Sequence, residues 1–389
     1  MTESTSTTSR PRVLSGMRPT GKLHLGNYMG ALHNWVKLQH EYECYFFIAD
    51  YHALTTDYAD TSTLKENIRQ VALDFLAAGL DPKVCTIFVQ SKVPAHFALN
   101  DLLAMITPLS LLERVPTYKD QQEQLKEKDL ATYGFLGYPL LQSADILIYQ
   151  ASFVPVGQDQ AAHVELTREV ARRFNQFFPG EFVLAPNAAP WEMEAIKEKA
   201  RKLAGDKTKN VFSAHELYEA ALQTKKLSGF CRREVLPEPQ VLLTPAPKLP
   251  GTDGRKMSKS YRNTILISDP EPEIRSKLKT MVTDPARVRR EDPGNPEVCP
   301  VGDLHKIFST EETRNNVWQG CTTAGIGCIE CKGWLADAVV RELAPIRERR
   351  AYFEANPAEV NAILADGNAR ANERANITMR EVRATVGLE

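Results

Sequence analysis

The sequence predicts an α/β protein, with a Rossmann-like parallel sheet followed by an all-helical region. Three observations support this fold class. Apolar runs alternate with amphipathic stretches up to Gln90, an order typical of β–α–β units and a parallel sheet. A glycine-rich turn joins the first apolar run to the first helical pattern. From Pro270 to Glu389 the strand patterns fade and helical periodicity continues.

The glycine-rich turn at Ser15–Gly30, SGMRPTGKLHLGNYMG, is the first candidate site. It follows a predicted strand at Val13–Leu14 and precedes a predicted helix at Tyr28–Leu38. The start of such a helix has unpaired N–H groups, and glycine lets a ligand approach the backbone. The pattern suits phosphate binding, but it suits equally a turn that only reverses the chain, so a second element has to decide.

Further strands are predicted at Glu43–Asp50 and Val84–Gln90, which are mostly apolar. The segment Tyr138–Tyr149 predicts a helix or turn followed by a buried strand. Asp145 lies among apolar residues there, so its carboxylate is expected to have a function beyond solubility. A second glycine turn at Val154–Gln160 leads into another helix. Ligands of parallel sheets bind at the carboxyl ends of the strands, where both turns are expected.

Changes in composition divide the chain into segments. Residues 186–233 are rich in Lys, Glu and Ala and predict an inserted helical pair, and the apolar run 265–267 is a possible strand. The predicted division is a disordered leader at 1–12, a Rossmann-like domain at 13–185, a helical insertion at 186–233, a return to the first domain at 234–264, and a helical domain at 265–389.

Composition restricts the class of protein. The chain has 389 residues, of which 43% are hydrophobic and 25% charged, so it can bury a sizeable core. Its net charge of −1 means that a nucleic acid would have to bind a local basic surface. The sequence has neither an apolar run long enough to cross a bilayer nor a secretory signal, so we expect a cytoplasmic protein with no membrane contact.

The segment Lys256–Ser260, KMSKS, places two lysines on a loop that follows glycines. A mobile lysine pair suits a polyphosphate whose charge rises during a reaction, whereas the segment by itself would be interpreted as a basic surface loop. The order of HLGN and KMSKS on a parallel α/β sheet resembles the two signatures of class I aminoacyl-tRNA synthetases.

Other segments extend this resemblance to tryptophanyl-tRNA synthetases of the bacterial type. They are ADYHALTT, LERVPTYK, YPLLQSADILIY, VPVGQDQAAHVELTREVARRFN, LPGTDGRKMSKS, TDPARVRR and GCTTAGIGCIECK. The resemblance implies ATP-dependent activation of L-tryptophan to tryptophanyl-adenylate and its transfer to tRNA(Trp) by a homodimer. It also implies that residues 13–185 and 234–264 are catalytic and that residues 265–389 bind the tRNA anticodon.

The resemblance implies roles for individual residues. The catalytic set would be His24, Asn27, Lys119, Lys256 and Lys259, with Mg²⁺ sharing the charge of the departing pyrophosphate. ATP would contact Met17, Arg18, Pro19, Thr20, Gly26, Asn27, Gly157, Gln158, Asp159, Lys256, Met257, Ser258, Lys259 and Ser260. Tryptophan would contact Gly16, His52, Tyr138, Gln142, Asp145, Val154, Val156 and Gln160. Asp145 would accept the indole N–H. Asn27 stands where the class signature often has His.

The seven cysteines contain one informative pattern, Cys321-x6-Cys328-x2-Cys331 with Cys299 upstream. Thiolates that a short turn can bring together bind iron–sulfur clusters or zinc. A subset of the family with a similar arrangement carries a [4Fe–4S] cluster, so the resemblance implies that cluster here, with structural zinc or reduced thiols as alternatives. Of the remaining cysteines, Cys44 and Cys85 are predicted to lie in the core.

Alternative functions stay open at this point. Tyr138, Gln142 and Asp145 also match the pattern of tyrosyl-tRNA synthetases, in which the aspartate faces a phenol hydroxyl. A synthetase-like RNA-binding protein without catalysis would show damage to HLGN, KMSKS or Asp145, and all three are intact. A small-molecule adenylyltransferase would not need KMSKS or the long helical region. The candidates for RNA contact are Arg287, Arg289, Arg290, Arg347, Arg349 and Arg350, with solvated helix faces as the alternative.

Overall fold

The computed structural model describes residues 10–115, 131–157, 160–180, 182–184, 190–224, 230–243 and 249–389. In these residues one sheet of parallel strands has the order β3-β2-β1-β4-β7. Its strands are β1 (Arg12–Met17), β2 (Glu43–Ile48), β3 (Thr86–Val89), β4 (Phe153–Val156) and β7 (Gln240–Leu243). An antiparallel pair is formed by β5 (Phe182–Leu184) and β6 (Phe230–Arg232). The predicted parallel sheet is confirmed, and most of the predicted leader lies outside the described residues.

The helices occupy most of the remaining described chain. The first helical run consists of α1 (Leu25–Asn27), a π-helical turn (Tyr28–Leu32) and α2 (His33–Leu38). Up to the insertion follow α3 (Asp50–Asp57), α4 (Leu64–Ala78), α5 (Ala95–Ala104), α6 (Leu109–Glu113), α7 (Tyr133–Leu136), α8 (Tyr138–Ile148) and α9 (Ala161–Phe177), with a 3-10 turn at Gln90–Lys92. The rest are α10 (Pro190–Ala204), α11 (Ala214–Thr224), a 3-10 turn (Lys259–Tyr261), α12 (Glu271–Thr280), α13 (Pro300–Phe308), α14 (Glu311–Thr322), α15 (Cys328–Ala355) and α16 (Pro357–Val386). No helix of these residues is both long enough and apolar enough to cross a membrane.

The interior strand β2, between β3 and β1, shows why the sheet is covered on both faces. Cys44, Phe46 and Ile48 pack in one apolar cluster. Tyr45 and Phe47 pack in another. Successive side chains of a strand point to opposite faces, so this alternation places one cluster on each side of the sheet. An apolar run without polar alternation therefore became a fully buried strand, as predicted.

The strand order creates a crevice beside β1. From β1 the chain adds β2 and β3 on one side of the sheet and then returns to add β4 on the other side of β1. Parallel α/β sheets bind ligands where the strand order reverses, outside the carboxyl ends of the strands. The carboxyl ends of β1 and β4 are Met17 and Val156, beside the two predicted glycine turns.

The two long C-terminal helices pack on the sheet domain. Leu335, Val339 and Leu343 of α15 share an apolar cluster with α4 and the strands. In α16, Asn368 accepts a hydrogen bond from the backbone N–H of Val89 at 2.9 Å. A covered edge strand cannot pair with another chain, so α16 also closes this side of the sheet. The domain boundaries predicted above stay predictions.

Two predicted strands are wrong and one helical prediction is confirmed. Tyr138–Ile148 is a single buried helix, because periodicity in a short, mostly apolar run does not distinguish a buried helix from a strand. The run 265–267 forms only an isolated bridge, between His24 and Leu266. The predicted helical pair in residues 186–233 is present as α10 and α11, which share a small apolar cluster.

Candidate active site

The HLGN segment closes the glycine turn through two reciprocal hydrogen bonds. The backbone N–H of Asn27 donates to Nδ1 of His24 at 3.3 Å, and the backbone N–H of His24 donates to Oδ1 of Asn27 at 3.2 Å. His24 is thus the N-cap of α1. Because Nδ1 accepts a hydrogen bond from the backbone N–H of Asn27, Nε2 is the ring nitrogen that remains to donate. The amide of Asn27 likewise retains its Nδ2 hydrogens as donors.

The KMSKS segment lies against this turn. Nζ of Lys259 donates to the carbonyl oxygens of Thr20 at 2.9 Å and Gly21 at 3.0 Å. A Cβ added at Gly26 would lie 3.8 Å from Cβ of Met257 and 2.9 Å from the ring of His24. The distance to Met257 is an ordinary contact, whereas the distance to the ring would force His24 to shift, so glycine at position 26 preserves the position of His24. The structure brings the two predicted phosphate-binding segments together.

Charge states in this region follow from burial. Burial is the main cause that lowers the pKa of His24 to about 4, and the positive charges of Lys259 and Lys256 add to it. Burial also lowers the pKa of Lys259 to about 8, against the attraction of Asp74. At neutral pH the imidazole is neutral and the ammonium group is charged. A phosphate at this turn would meet one neutral donor and one cation.

A pocket of about 410 Å³ opens between β1, β2, α3, α8 and β4. All eight residues predicted to contact tryptophan line it, together with Arg18 and Gly157 from the predicted ATP set. The eight are Gly16, His52, Tyr138, Gln142, Asp145, Val154, Val156 and Gln160. A second, more polar pocket of about 370 Å³ is lined by Pro19, Thr20, Asp57 and Asp60 among others. Residues of the predicted ATP set thus line both pockets, which adjoin at Arg18 and Pro19 beside the carboxyl end of β1.

Asp145 is the buried charge of the larger pocket, with 1% of its surface exposed. Its Oδ1 lies 2.6 Å from Nδ1 of His96 and accepts from Nε2 of Gln90 at 2.8 Å. Its Oδ2 lies 2.8 Å from Nε2 of His52. Burial by itself would raise the pKa of Asp145, but the hydrogen bonds from His52 and His96 outweigh burial and lower it to about 2. The carboxylate is therefore an ionised acceptor at the wall of a pocket with both polar and apolar lining residues.

Several predicted site residues lie outside the described part of the chain or do not line the larger pocket. Lys119, Gln158 and Asp159 lie outside the described residues. The side chain of Met257 is buried in the core, and its N–H donates to the carbonyl of Leu249 at 2.9 Å, so neither group is available to a nucleotide. The remaining members do not line the larger pocket and differ in exposure: Lys256 and Ser260 are exposed, whereas Met17 and Ser258 are half-buried.

Other residues at the site were missed by sequence reasoning. His96 and Gln90 are fully buried behind Asp145, and their positions follow β3 in the sequence with no motif to indicate them. Asn34 lines the pocket, and its Nδ2 is buried without a hydrogen-bond partner among the described residues. An unpaired buried donor at a pocket wall is a natural contact for a polar ligand. The only signal for Asn34 in the sequence is its helical spacing, because it lies one helical turn after Gly30.

The four patterned cysteines come together at the start of α15. Burial is the main cause that raises the pKa of Cys331 to about 12, and the nearby thiols of Cys299, Cys321 and Cys328 raise it further. Nη1 of Arg287 lies 3.7 Å from Sγ of Cys321. Among the described residues, no group of three or more His, Cys, Asp or Glu side chains is arranged to hold a metal ion. Cys44 and Cys85 are buried in the core, as predicted.

The arginines predicted as RNA contacts have mainly structural partners. Arg350 is 3% exposed and forms an ion pair with Asp74, so its side chain is inaccessible to RNA. Arg287 is buried and donates to the carbonyl of Ile326 at 2.7 Å. Arg290 donates to the carbonyl of Gly325 at 3.0 Å. A basic run in the sequence does not show whether an arginine is solvated or holds a loop in place through hydrogen bonds.

The fold and the site together define a Rossmann-like protein with a phosphate-binding type of turn beside an amino-acid-sized pocket. The sequence model of the family described as tRNA synthetases class I (W and Y) matches residues 6–199 and 203–344. The chain belongs to this family.

Individual relatives agree with this membership over nearly the whole chain. A tryptophan–tRNA ligase from Ralstonia nicotianae is 51% identical, over 97% of this chain and 98% of the relative. The tryptophan–tRNA ligase of Thermotoga maritima is 48% identical, over 97% and 99%. The solved structure of tryptophanyl-tRNA synthetase from Campylobacter jejuni, complexed with ADP and tryptophan, superposes with a TM-score of 0.75 at 30% identity and covers 97% of this chain and 100% of that one.

Proposed function

We propose that this chain activates L-tryptophan with ATP and transfers it to tRNA(Trp). The carboxylate of tryptophan attacks the α-phosphorus of ATP, forming the new P–O bond of tryptophanyl-adenylate while the bond to pyrophosphate breaks. A ribose hydroxyl at the end of the tRNA then takes the tryptophanyl group, and AMP leaves. One observation carries the proposal: the pocket holds an ionised, buried acceptor and is also lined by Gly16 and Arg18 of the glycine turn.

Asp145 is the proposed determinant of the amino acid. A carboxylate that accepts the indole N–H would lose this bond with phenylalanine, at a cost of roughly 1–3 kcal/mol. Tyr138 and Gln142 would bind the α-ammonium group. The remaining wall is formed by Gly16, His52, Val154, Val156 and Gln160. The tryptophan–tRNA ligases at 48% and 51% identity favour tryptophan over tyrosine as the substrate.

The glycine turn and KMSKS are proposed to hold ATP. Nε2–H of His24 and the amide of Asn27 would donate to phosphate, while Lys256 and Lys259 stabilise the departing pyrophosphate together with Lys119. Gly26 and the segment Met17–Thr20 would admit the nucleotide against backbone, and Gly157, Gln158 and Asp159 would contact the ribose. No side-chain nucleophile is needed. The acceleration comes from orientation and from charges fixed before the reaction.

Mg²⁺ is expected to accompany ATP, and the donors beside the turn suit it. Asp57 and Asp60 line the polar pocket with Thr20, and carboxylate and hydroxyl oxygens are the ligands that Mg²⁺ prefers. The ion would supply positive charge that neutralises the phosphates.

Tryptophan-dependent exchange between ATP and pyrophosphate tests the activation step. We expect exchange with tryptophan, and far less with tyrosine or phenylalanine at equal concentration. Exchange that prefers tyrosine would assign the chain to the tyrosine branch of the family. Absence of exchange with every amino acid would favour a synthetase-like protein without catalysis.

Lys259→Ala tests the phosphate side of the same proposal. We expect it to lower the exchange rate by about 100-fold or more, the order of a lost transition-state donor, while tryptophan affinity changes little. Lys202→Ala removes an exposed lysine of α10 and serves as the matched control. Exchange at the normal rate in Lys259→Ala would contradict the assigned role.

We also propose that Cys299, Cys321, Cys328 and Cys331 hold a [4Fe–4S] cluster, with zinc as the alternative. The proposal is supported by the spacing Cys321-x6-Cys328-x2-Cys331 with Cys299 upstream, and by Arg287, whose Nη1 lies 3.7 Å from Sγ of Cys321 and can offset the negative charge of thiolate ligands. Sulfur donors suit either metal. Iron, sulfide and zinc analysis of protein prepared without oxygen tests it, with Cys85→Ser as a control outside the set. Metal-free protein with four reactive thiols would contradict the proposal.

The homodimer, the cytoplasmic location and the predicted domain division belong to the same proposal. Segment 97–109 exposes Phe97 by 45%, Met105 by 73% and Leu109 by 59%, and several exposed apolar side chains within one segment suit an interface between copies of the chain. Sedimentation equilibrium tests the dimer, and Met105→Glu is expected to dissociate it.

A further inference from the structure

Asp74 connects the glycine turn to the C-terminal helix α15. It lies on α4 and is fully buried. Oδ2 of Asp74 accepts a hydrogen bond from the backbone N–H of Leu23 at 2.7 Å. Oδ1 accepts from Nη1 of Arg350, which lies on α15. One carboxylate therefore contacts both the residue before His24 and the C-terminal helical region.

The backbone at residues 23–25 is held on a second side by the chain that follows KMSKS. The N–H of Leu25 donates to the carbonyl of Ile265 at 2.9 Å, and the N–H of Ile267 donates to the carbonyl of Leu23 at 3.0 Å. Asp74 accepts from the N–H of Leu23, so both backbone polar groups of Leu23 have a hydrogen-bond partner. The N-cap at His24 is thus positioned by two separate segments of the chain, α4 and residues 265–267.

Arg350 is itself fully paired. Its other guanidinium nitrogens donate to Gln70 and, at 3.0 Å, to Glu354. The same helix also contacts the first helical run, where the hydroxyl of Tyr28 donates to Glu342 at 3.0 Å. Helix α15 is therefore fixed to the glycine turn by polar contacts in addition to its apolar packing.

Stability alone does not account for a buried ion pair. Removing two charges from water is costly, and well-packed apolar residues of similar size are often equally stable or more so. The hydrogen bond to Leu23 is different, because it fixes the position of a backbone segment. Correct placement of the donors that contact phosphate affects the binding of ATP more than it affects the stability of the fold.

We propose that Asp74 and Arg350 are positioning residues for ATP, which rests on the proposed function of the glycine turn. Arg350 holds the carboxylate of Asp74, and Asp74 holds the backbone of Leu23, so that His24 and Asn27 present their donors to the phosphates. Docking of α15 and affinity for ATP are coupled through this pair.

Two double variants separate the positioning role from stability. Both Asp74→Asn/Arg350→Met and Asp74→Leu/Arg350→Met remove the buried charges. The asparagine keeps an acceptor oxygen for Leu23, and Gln70 can pair with its amide; the leucine leaves the Leu23 N–H without an acceptor. We expect the KM for ATP in tryptophan-dependent exchange to be about tenfold higher in the leucine variant than in the asparagine variant, the effect of one lost buried hydrogen bond. The KM for tryptophan is expected to stay within about twofold in both.

Controls distinguish a folding defect from a positioning defect. Leu343→Ala destabilises the same helix without touching Asp74, and its KM for ATP is expected to match that of the wild type. Thermal unfolding of every variant establishes that the compared proteins are folded. Equal KM values for ATP in the two double variants overturn the positioning role. If the wild type shows no exchange with tryptophan, the proposed function fails; calorimetric titration with ATP then compares the two variants, and equal affinities overturn the positioning role.

Discussion

Nδ1 of His96 lies 2.6 Å from Oδ1 of Asp145, and Nε2 of the same ring lies 2.9 Å from the hydroxyl of Tyr149. His96 is fully buried and does not line the pocket. The charged acceptor of the pocket is therefore oriented by a residue that the substrate cannot touch. Networks of this kind hold a functional group in one geometry.

His96→Leu is expected to raise the KM for tryptophan by about tenfold, because Asp145 loses a hydrogen bond that both orients it and keeps it ionised. With one donor lost, burial has more effect and the pKa of Asp145 rises from about 2. The carboxylate then binds a proton at low pH, so the defect should be larger at acid pH and smaller as pH rises. Tryptophan-dependent exchange across pH measures it. Tyr149→Phe is the control, and a defect in His96→Leu that does not change with pH would contradict the expectation.

The alkaline limit of activity is expected to depend on Lys259. Burial lowers its pKa to about 8, so the ammonium group is charged below that pH and loses its proton as pH rises through it. The kcat/KM for ATP should therefore fall above about pH 8, since this parameter follows the free enzyme. Lys259→Arg is expected to be slower but to lack this fall, because a guanidinium stays charged. The same alkaline limb in both proteins would assign it to another group.

Asn27→Asp separates helix capping from phosphate binding. The aspartate keeps the oxygen that accepts from the N–H of His24, and a negative charge at a helix N-terminus is favourable by about 0.3–1 kcal/mol. Stability to denaturant is thus expected to be unchanged or higher. The same charge would repel the phosphates, so the KM for ATP should rise by about tenfold or more. An unchanged KM would show that Asn27 only caps the helix, and a KM in Asn27→Asp no higher than in Asn27→Ala would contradict the repulsion between aspartate and phosphate.

Two helical glycines of the C-terminal region are expected to respond in opposite directions to alanine. A Cβ at Gly367 of α16 would lie 1.8 Å from the carbonyl oxygen of Ile87, so Gly367→Ala must push α16 away from β3. We expect a loss of about 1–3 kcal/mol or more in the free energy of unfolding. A Cβ at Gly333 of α15 meets no atom within 4 Å, so Gly333→Ala should stabilise the protein by about 0.5–1 kcal/mol. Urea denaturation measures both, and a stable Gly367→Ala would show that the two elements separate without cost.

Local sequence determined the elements and the chemical groups of this protein. Apolar runs such as Glu43–Ile48 became buried strands, and the order of strand and helix produced the parallel sheet. The glycine turn, KMSKS and Asp145 were identifiable because a phosphate or a buried acceptor requires particular residue types in sequence neighbourhoods that are otherwise apolar or flexible. These features depend on contacts close in sequence, which periodicity and composition encode.

Tertiary structure alone decided what lies behind those groups. His96 is 49 residues from Asp145, and Arg350 is 276 residues from Asp74, so no local pattern links either pair. The lack of a local pattern also explains why a strand was wrongly predicted in Tyr138–Tyr149. It explains as well why Arg350, which is buried, was predicted to contact RNA. A charged residue in a polar run can be solvated or paired inside the core, and only the fold brings its partner to it. The sequence by itself determined which groups could do chemistry, whereas packing decided which residues hold them in place.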